Sequence, residues 1–292
     1  MSSDSTKNDA RTRQESNEAA SKNADKAALT EHQQGQVDES LSLSAITLYA
    51  VVRREGEEEL SRPVASLWWS GVAAGLGISL SVMAEGVLHS QLDGYAYRSL
   101  VENFGYTVGF VLVILGRLQL FTENTITVVL PVLAKPTKAN FLSSGKLWVI
   151  VFIANMFGCF VAAFLLMQIA DIGDGHLAGI FSIARHYTEI KGIDALLLGV
   201  PAGFIIAALV WVLPSSKGFE ALVIVLFTYF IAAGGFTHVI AGAVEVYLMV
   251  LTGELSAWRG VADHILPTLA GNILGGTGLF ALLAYGQVHD EL

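Results

Sequence analysis

Charge is what this 292-residue chain has least of: Asp, Glu, Lys and Arg make up 15% of it, against 53% hydrophobic residues. That ratio excludes an ordinary soluble domain and indicates an integral membrane protein. The net charge of -9 offers no basic face, so no nucleic-acid partner is expected. The single cysteine, Cys159, rules out an intrachain disulfide and is read as a small buried side chain. Gly-rich phosphate loops, HExxH and Cys/His metal spacings are all missing, so no cofactor, metal or recognisable catalytic signature is expected. The first forty residues lack the apolar core of a secretory signal, which places the N-terminus in the cytoplasm.

What charge there is lies early. Residues 1–63 hold eight of the 17 basic and twelve of the 26 acidic residues. Residues 1–42 have too few large apolar groups to offset chain entropy and read as a disordered cytoplasmic tail. Residues 43–63 place Arg53 and Arg54 four positions ahead of Glu57 and Glu58, which fits an amphipathic helix at the membrane surface. From 64 to 286 six apolar segments follow, at about 64–90, 104–135, 146–170, 193–214, 219–252 and 262–286. A short C-terminus, 287–292, is expected in the cytoplasm. Arg53, Arg54 and Arg62 tip the otherwise even distribution of loop cations inward, giving an inner (plasma) membrane protein with both ends inside.

The second and fifth segments are too long for one straight crossing and are interrupted by LFTEN and GGFTH. Three landmarks recur in order: GVAAG at 71–75 and GVPAG at 199–203, LFT at 120–122 and GFT at 235–237, NMFG at 155–158 and NILG at 272–275. Three spans per half is an odd number, so the second copy must be inserted upside down. The fold class is therefore all-α, with six transmembrane helices as an inverted 3+3 repeat whose second and fifth helices are broken. Broken backbone at membrane depth must face protein or a water-filled cavity. A half-helix starting after each break points its positive end at that interior, which suits an anion.

His238 follows the second break in the middle of an apolar run. It reads as a pathway residue able to pass or lend a proton, against a satisfied structural donor. Thr122 follows the first break and is read as a partner of substrate or of His238, or as the cap of the half-helix behind it. Asn124, in the same break, and Gly203 in the fourth span are also read as pore or substrate residues. Arg117, Glu123, Glu85 and Glu245 are costly at membrane depth. They read first as a charge network in which Arg117 pairs with at least one of the carboxylates, and second as substrate contacts. Glu85 has a further place open to it, in the outer mouth. His89, His176, His186 and His264 fall in or beside loops and read as surface histidines.

QLFTEN and GGFTHVIAG, with the repeat and the six spans, resemble the formate/nitrite transporter family over residues 64–286. The resemblance implies an aquaporin-like fold and a homopentamer with one pore in each protomer. It also implies that Thr122 and His238 are the loop threonine and pore histidine, and that Tyr106, Phe110 and Ile231 stand at the pore constrictions. The implied substrate is a small monovalent anion that gains a proton and crosses as the neutral acid. Gly203 stands where the family usually has asparagine, Tyr187 where it has a vestibule lysine (Lys191 is nearby), Gln119 for an acid and Glu123 for a small residue. Arg117 is an added charge.

The leading functional reading is thus a channel or proton-coupled transporter for a formate- or nitrite-like anion. A non-transporting sensor or scaffold is the alternative. A neutral-solute channel lacks the Asn-Pro-Ala pair, and a membrane-embedded enzyme lacks a catalytic signature.

Overall fold

The computed structural model describes residues 43–169 and 176–292, together with residues 30 and 33. The reading of 1–42 as a disordered tail lies, those two positions aside, outside the described residues. Residues 44–292 form one unit, helical throughout its regular elements among the described residues.

Helix α1 (Ala45–Ser61) begins where the Ser44 hydroxyl accepts from the Thr47 N–H at 3.2 Å and ends ahead of Pro63, which forces Arg62 into extended backbone. It buries Tyr49, Val52 and Gly56, spaced three and four residues apart. Its other side carries Arg53–Glu57 and Arg54–Glu58 at 3.3 and 3.6 Å. Exposed pairs of this kind contribute at most about 0.5 kcal/mol each, so α1 is held by its apolar face.

Helices α2 (Val64–Gln91), α3 (Arg98–Leu115) and α5 (Lys138–Ile169) are long and apolar enough to cross a membrane. So are α7 (Ile193–Val212, extended by one 3₁₀ turn to Ser215) and α10 (Ala257–Glu291). Three shorter apolar helices complete the set: α4 (Phe121–Ala134), α8 (Glu220–Ala233) and α9 (Val239–Leu251). The apolar segments at 104–135 and 219–252 each resolve into two helices around a break, α3 with α4 and α8 with α9. Helix α10 carries two π-type stretches, Gly260–Ile265 and Leu274–Ala281, and it continues through 287–291, most of the segment expected as a short C-terminus.

Small residues set the helix crossings. A Cβ at Gly75 would overlap the backbone of Asn155 and Gly158 on α5, and one at Gly203 would overlap the backbone of Asn272 on α10. Phe104, Val108, Leu112 and Leu115 on α3, and Leu222, Leu226 and Phe230 on α8, are left exposed. An outward apolar surface of this kind suits lipid or neighbouring protomers.

Two local readings are corrected. The stretch between the third and fourth apolar segments, read as a loop, contains helix α6 (His176–Tyr187), packed so closely on α2 that a Cβ at Gly86 would strike Ile180. Its apolar content is too short for a span, which is why it passed for a loop. His264, read as a surface histidine, is 2% exposed, with Nδ1 2.9 Å from the Ile190 carbonyl oxygen.

Candidate functional site

The two breaks are built alike. Gly116 caps α3 and Gly234 caps α8, each donating to the carbonyl four residues back, Leu112 at 2.8 Å and Phe230 at 3.0 Å. The next residue in each break has positive φ, Arg117 at 50° and Gly235 at 63°. The third, Leu118 or Phe236, donates to Val113 or Ile231 at 3.0 Å in both. The correspondence is therefore a constant 118 residues. It matches Leu120 with His238 and Gln119 with Thr237, so LFT and GFT, although similar in letters, are displaced by three positions.

One asparagine staples each break. Asn155 Oδ1 accepts from the Phe121 N–H at 2.9 Å, while its Nδ2 donates to the carbonyls of Gly71 and Gln119 at 2.8 Å each. Asn272 Oδ1 accepts from the Val239 N–H at 2.9 Å, and its Nδ2 donates to Gly199 and Thr237 at 2.9 Å each. Both asparagines are fully buried. Each satisfies a half-helix N–H and an open carbonyl of the broken chain, Gln119 or Thr237, where lipid could not, and ties it to a neighbouring helix through Gly71 or Gly199. In the sequence these positions appear only as the repeated NMFG and NILG, GVAAG and GVPAG, with no role attached. The signal was there in the two asparagines and the glycine carbonyls they reach.

Where the breaks meet, Thr122 Oγ1 lies 2.8 Å from His238 Nε2, both buried. His238 is the N-cap of α9, and its Nδ1 accepts from the Ala241 N–H at 3.3 Å. An accepting Nδ1 carries no proton, so the ring is the neutral tautomer whose Nε2–H donates to Thr122. To act as an acid the ring would need a second proton on Nδ1, displacing Ala241 and placing a cation at the positive end of α9. Thr122 is not a cap, since α4 is preceded by Leu120 and has no side-chain cap.

The Phe110 ring stands edge-on to His238 at 5.0 Å between centroids, and Tyr106 packs on Phe110 at 5.1 Å. Ile231 is fully buried on α8. Gly203 does not line this centre: it is closed against the Asn272 backbone, so the asparagine that the family resemblance puts there would have no room.

Arg117 does not pair with Glu123, Glu85 or Glu245. Its side chain is 81% exposed and reaches Glu55 of α1 at 3.3 Å. The left-handed backbone at Arg117 costs an L-residue about 1–2 kcal/mol, and its symmetry mate is glycine. Arg117→Val is therefore expected to lower stability by a further 1–2 kcal/mol or so, because a β-branched residue fits that region worst, while Arg117→Gly is tolerated. Thermal unfolding of the two variants in detergent checks this, and equal melting temperatures would contradict it.

Asn124 donates to Glu59 Oε2 at 2.9 Å, as does the Thr127 hydroxyl. Burial raises the Glu59 carboxyl above the ordinary carboxylate range, opposed by its hydrogen bonds to Thr127 and Gln119. An acid whose folded pKa is raised holds more protons folded than free, so it stabilises the docked α1 at low pH and loses that contribution as pH rises above the usual carboxylate range. Hydrogen exchange of α1 amides is expected to speed up with rising pH beyond the intrinsic base-catalysed increase, and Glu59→Gln to remove that excess. Identical corrected profiles for the two proteins would contradict this. Near Glu59, Gln119 Oε1, Glu123 Oε1 and Asn124 Oδ1 are buried without a partner.

Glu85 on α2 and Glu245 on α9 are 9% and 5% exposed. Glu85 thus lies buried within its span. Neither has a hydrogen bond or ion pair among the described residues. Lys191 lines a surface cleft with Arg185, Arg259, His264 and Glu254. There the bidentate Arg185 guanidinium, 2.7 Å from both oxygens of Glu254, holds that carboxyl below its usual range. Among the described residues no group of three or more His, Cys, Asp or Glu could hold a metal ion.

The model of the formate/nitrite transporter family matches residues 47–286. The chain is 36% identical to inner membrane protein YfdC of Escherichia coli (strain K12), over 88% of this chain and 83% of that protein. It is 23% identical to formate channel FocA of Haemophilus influenzae, over 82% of this chain and 94% of that one. Among solved structures it resembles a pentameric formate channel with formate bound, with a TM-score of 0.66 at 20% identity, covering 77% of this chain and 97% of that one. It also resembles an ion channel of the same family, with a TM-score of 0.70 at 20% identity, covering 83% and 98%.

Proposed function

Since the chain belongs to the formate/nitrite transporter family, a family of channels and transporters rather than enzymes, we propose that it conducts a small monovalent anion of the formate or nitrite type through a pore within each protomer of a homopentamer. The observation that carries this reading is the 2.8 Å contact between Thr122 and His238, which joins two broken helices of matching backbone at their N-terminal ends. Taken as broken crossings, α3 with α4 and α8 with α9 give six spans with α2, α5, α7 and α10, related as inverted halves with both termini in the cytoplasm.

An anion reaching this centre meets hydrogen-bond donors in place of its hydration shell. Thr122 accepts from His238, which leaves the threonine hydroxyl hydrogen free to donate to the anion, beside the positive ends of α4 and α9. Tyr106, Phe110 and Ile231 are the apolar constrictions on either side. Crossing them is far less costly for a neutral acid than for an anion, so a proton accompanies the substrate, and lipid or a neighbouring protomer covers the exposed faces of α3 and α8. Gln119, Glu123, Asn124 and Arg117, on the α1 side of the centre, set which anion is admitted.

The test is uptake of formate and nitrite by proteoliposomes across a pH gradient. His238→Asn keeps a residue able to cap α9 but shortens the reach to Thr122. Flux is expected to fall up to about tenfold, the worth of one neutral hydrogen bond of about 0.5–1.5 kcal/mol. Wild-type uptake no greater than that of empty liposomes favours instead a sensor or scaffold that retains the channel fold.

A further inference from the structure

The cleft between the end of α6, the turn after α9 and the start of α10 stands apart from the pore centre. Met249 in its wall lies eleven residues along α9 from His238, roughly 16 Å at the helical rise. Its volume of about 230 Å³ is below the roughly 300–1,000 Å³ of a pocket for a drug-sized ligand, which leaves room for a small charged group and bridging water. Three cations line it, Arg185, Lys191 and Arg259, against one carboxylate, Glu254. That carboxylate is already covered, since Arg185 donates to both of its oxygens at 2.7 Å, while Arg259 Nε donates to Asp263 at 3.1 Å. These bonds use two of the five N–H donors of one guanidinium and one of the five of the other, so both keep N–H groups for a further anion. With Asp263 counted, three positive charges meet two negative ones. The unmatched charge is Lys191, which makes no ion pair among the described residues.

Lys191 is also held in place on both sides. The Ile190 carbonyl before it accepts from Nδ1 of the buried His264 at 2.9 Å, and the Gly192 N–H after it donates to the Asp263 carbonyl at 2.7 Å. The turn passes through φ 58° at Gly192, a conformation that glycine adopts without strain. Two bonds to α10 therefore fix the backbone of an exposed lysine at the mouth of the cleft. The surroundings identify what carries the anion. Ile193 and Leu197 on α7 and Val261 and Leu266 on α10 are exposed apolar side chains, and Trp258, 76% exposed, stands next to Arg259 in the chain. Met249 and Leu255 give the cleft itself an apolar wall. An outward apolar surface that ends at a tryptophan and a group of cations marks the headgroup level of a bilayer.

We propose that this cleft binds the phosphodiester headgroup of an anionic phospholipid. Lys191 supplies the counter-charge for its single negative charge, the remaining N–H groups of Arg185 and Arg259 donate to its phosphate oxygens, and its acyl chains lie along the exposed apolar side chains of α7 and α10. A bound lipid would bridge α6, α7 and α10 at the place where the Ile190 and Gly192 bonds already join them. The site stands whether or not the pore conducts an anion.

Thermal unfolding of the full-length protein in detergent, with short-chain phosphatidylglycerol added in steps, tests this, because a ligand of the folded state raises the melting temperature. Lys191→Gln is expected to melt like wild type without lipid and to need about five times more phosphatidylglycerol for the same rise, the worth of one basic residue at a membrane surface. Lys191→Arg, which keeps the charge, and Lys217→Gln, which removes an exposed lysine from the turn between α7 and α8, should respond as wild type does. Short-chain phosphatidylcholine, whose headgroup has no net charge, should raise the melting temperature less than phosphatidylglycerol, and inorganic phosphate, which has no acyl chains, less again. Equal responses of wild type and Lys191→Gln to phosphatidylglycerol, or equal responses of wild type to the two lipids, overturn the proposal. A rise with inorganic phosphate as large as that with phosphatidylglycerol, and lost in Lys191→Gln, overturns the lipid assignment in favour of a dissolved oxyanion.

Discussion

Asn272→Leu is expected to destabilise the protein by about 2–4 kcal/mol, because it leaves the Val239 N–H and the Thr237 carbonyl of the break buried without partners at about 1–2 kcal/mol each, besides removing the bond to the Gly199 carbonyl of helix α7. Total stabilities of about 5–15 kcal/mol make that a large share, so little folded protein should survive detergent extraction. Leucine keeps the branched outline of asparagine but cannot make these bonds, and its methyls cannot approach the same backbone atoms as closely. Asn155→Leu should behave in the same way, through Phe121, Gly71 and Gln119. The measurement is thermal unfolding in detergent followed by size-exclusion chromatography. A melting temperature within a degree or two of wild type for either variant would show that the staples are dispensable.

Gly203→Val is expected to prevent α7 and α10 from closing, again with loss of the folded protein. A Cβ at Gly203 overlaps three backbone atoms of Asn272. Backbone cannot swing aside as a side chain can, so the helices must separate, and the Asn272 staple is lost with them. Overpacking a tight core costs about 1–3 kcal/mol even where side chains can yield. Gly278→Ala on the same helix α10 is the control, since the nearest atom to its new Cβ is a leucine methyl 3.8 Å away. It should be neutral or gain up to about 1 kcal/mol from helix propensity. Equal expression and melting of Gly203→Val and Gly278→Ala would refute the close crossing. Gly203→Asn would test the same point against the family pattern, and it too should fail.

Both predictions concern residues already visible as repeated letters. The glycines of GVAAG and GVPAG and the asparagines of NMFG and NILG stood out because both halves need them at the same places. The breaks stood out because polar residues and glycine interrupt long apolar runs. The membership in a family of anion channels was legible for the same reason, carried by the two break motifs. The 118-residue register was not legible: the Thr that follows Phe in each break invited an alignment three residues off, and only the backbone pattern of Gly116, Arg117 and Leu118 against Gly234, Gly235 and Phe236 corrects it.

Arg117 and the carboxylates show a second limit. Opposite charges near one another in a sequence invite pairing, yet Arg117 turns outward to Glu55. Glu85 and Glu245 are buried with no ion pair among the described residues. Helix α6 and the burial of His264 were missed because both depend on contacts with distant segments, Ile180 on Gly86 and His264 on the Ile190 carbonyl.

By itself the sequence determined that this is an all-helical membrane protein with two broken apolar segments and a repeated set of small residues and asparagines, because burial in lipid imposes period, length and composition locally. Only the tertiary structure decided which side chains meet. The 2.8 Å approach of Thr122 to His238 and the two asparagine staples all depend on how helices far apart in the chain cross, and no local pattern encodes a crossing.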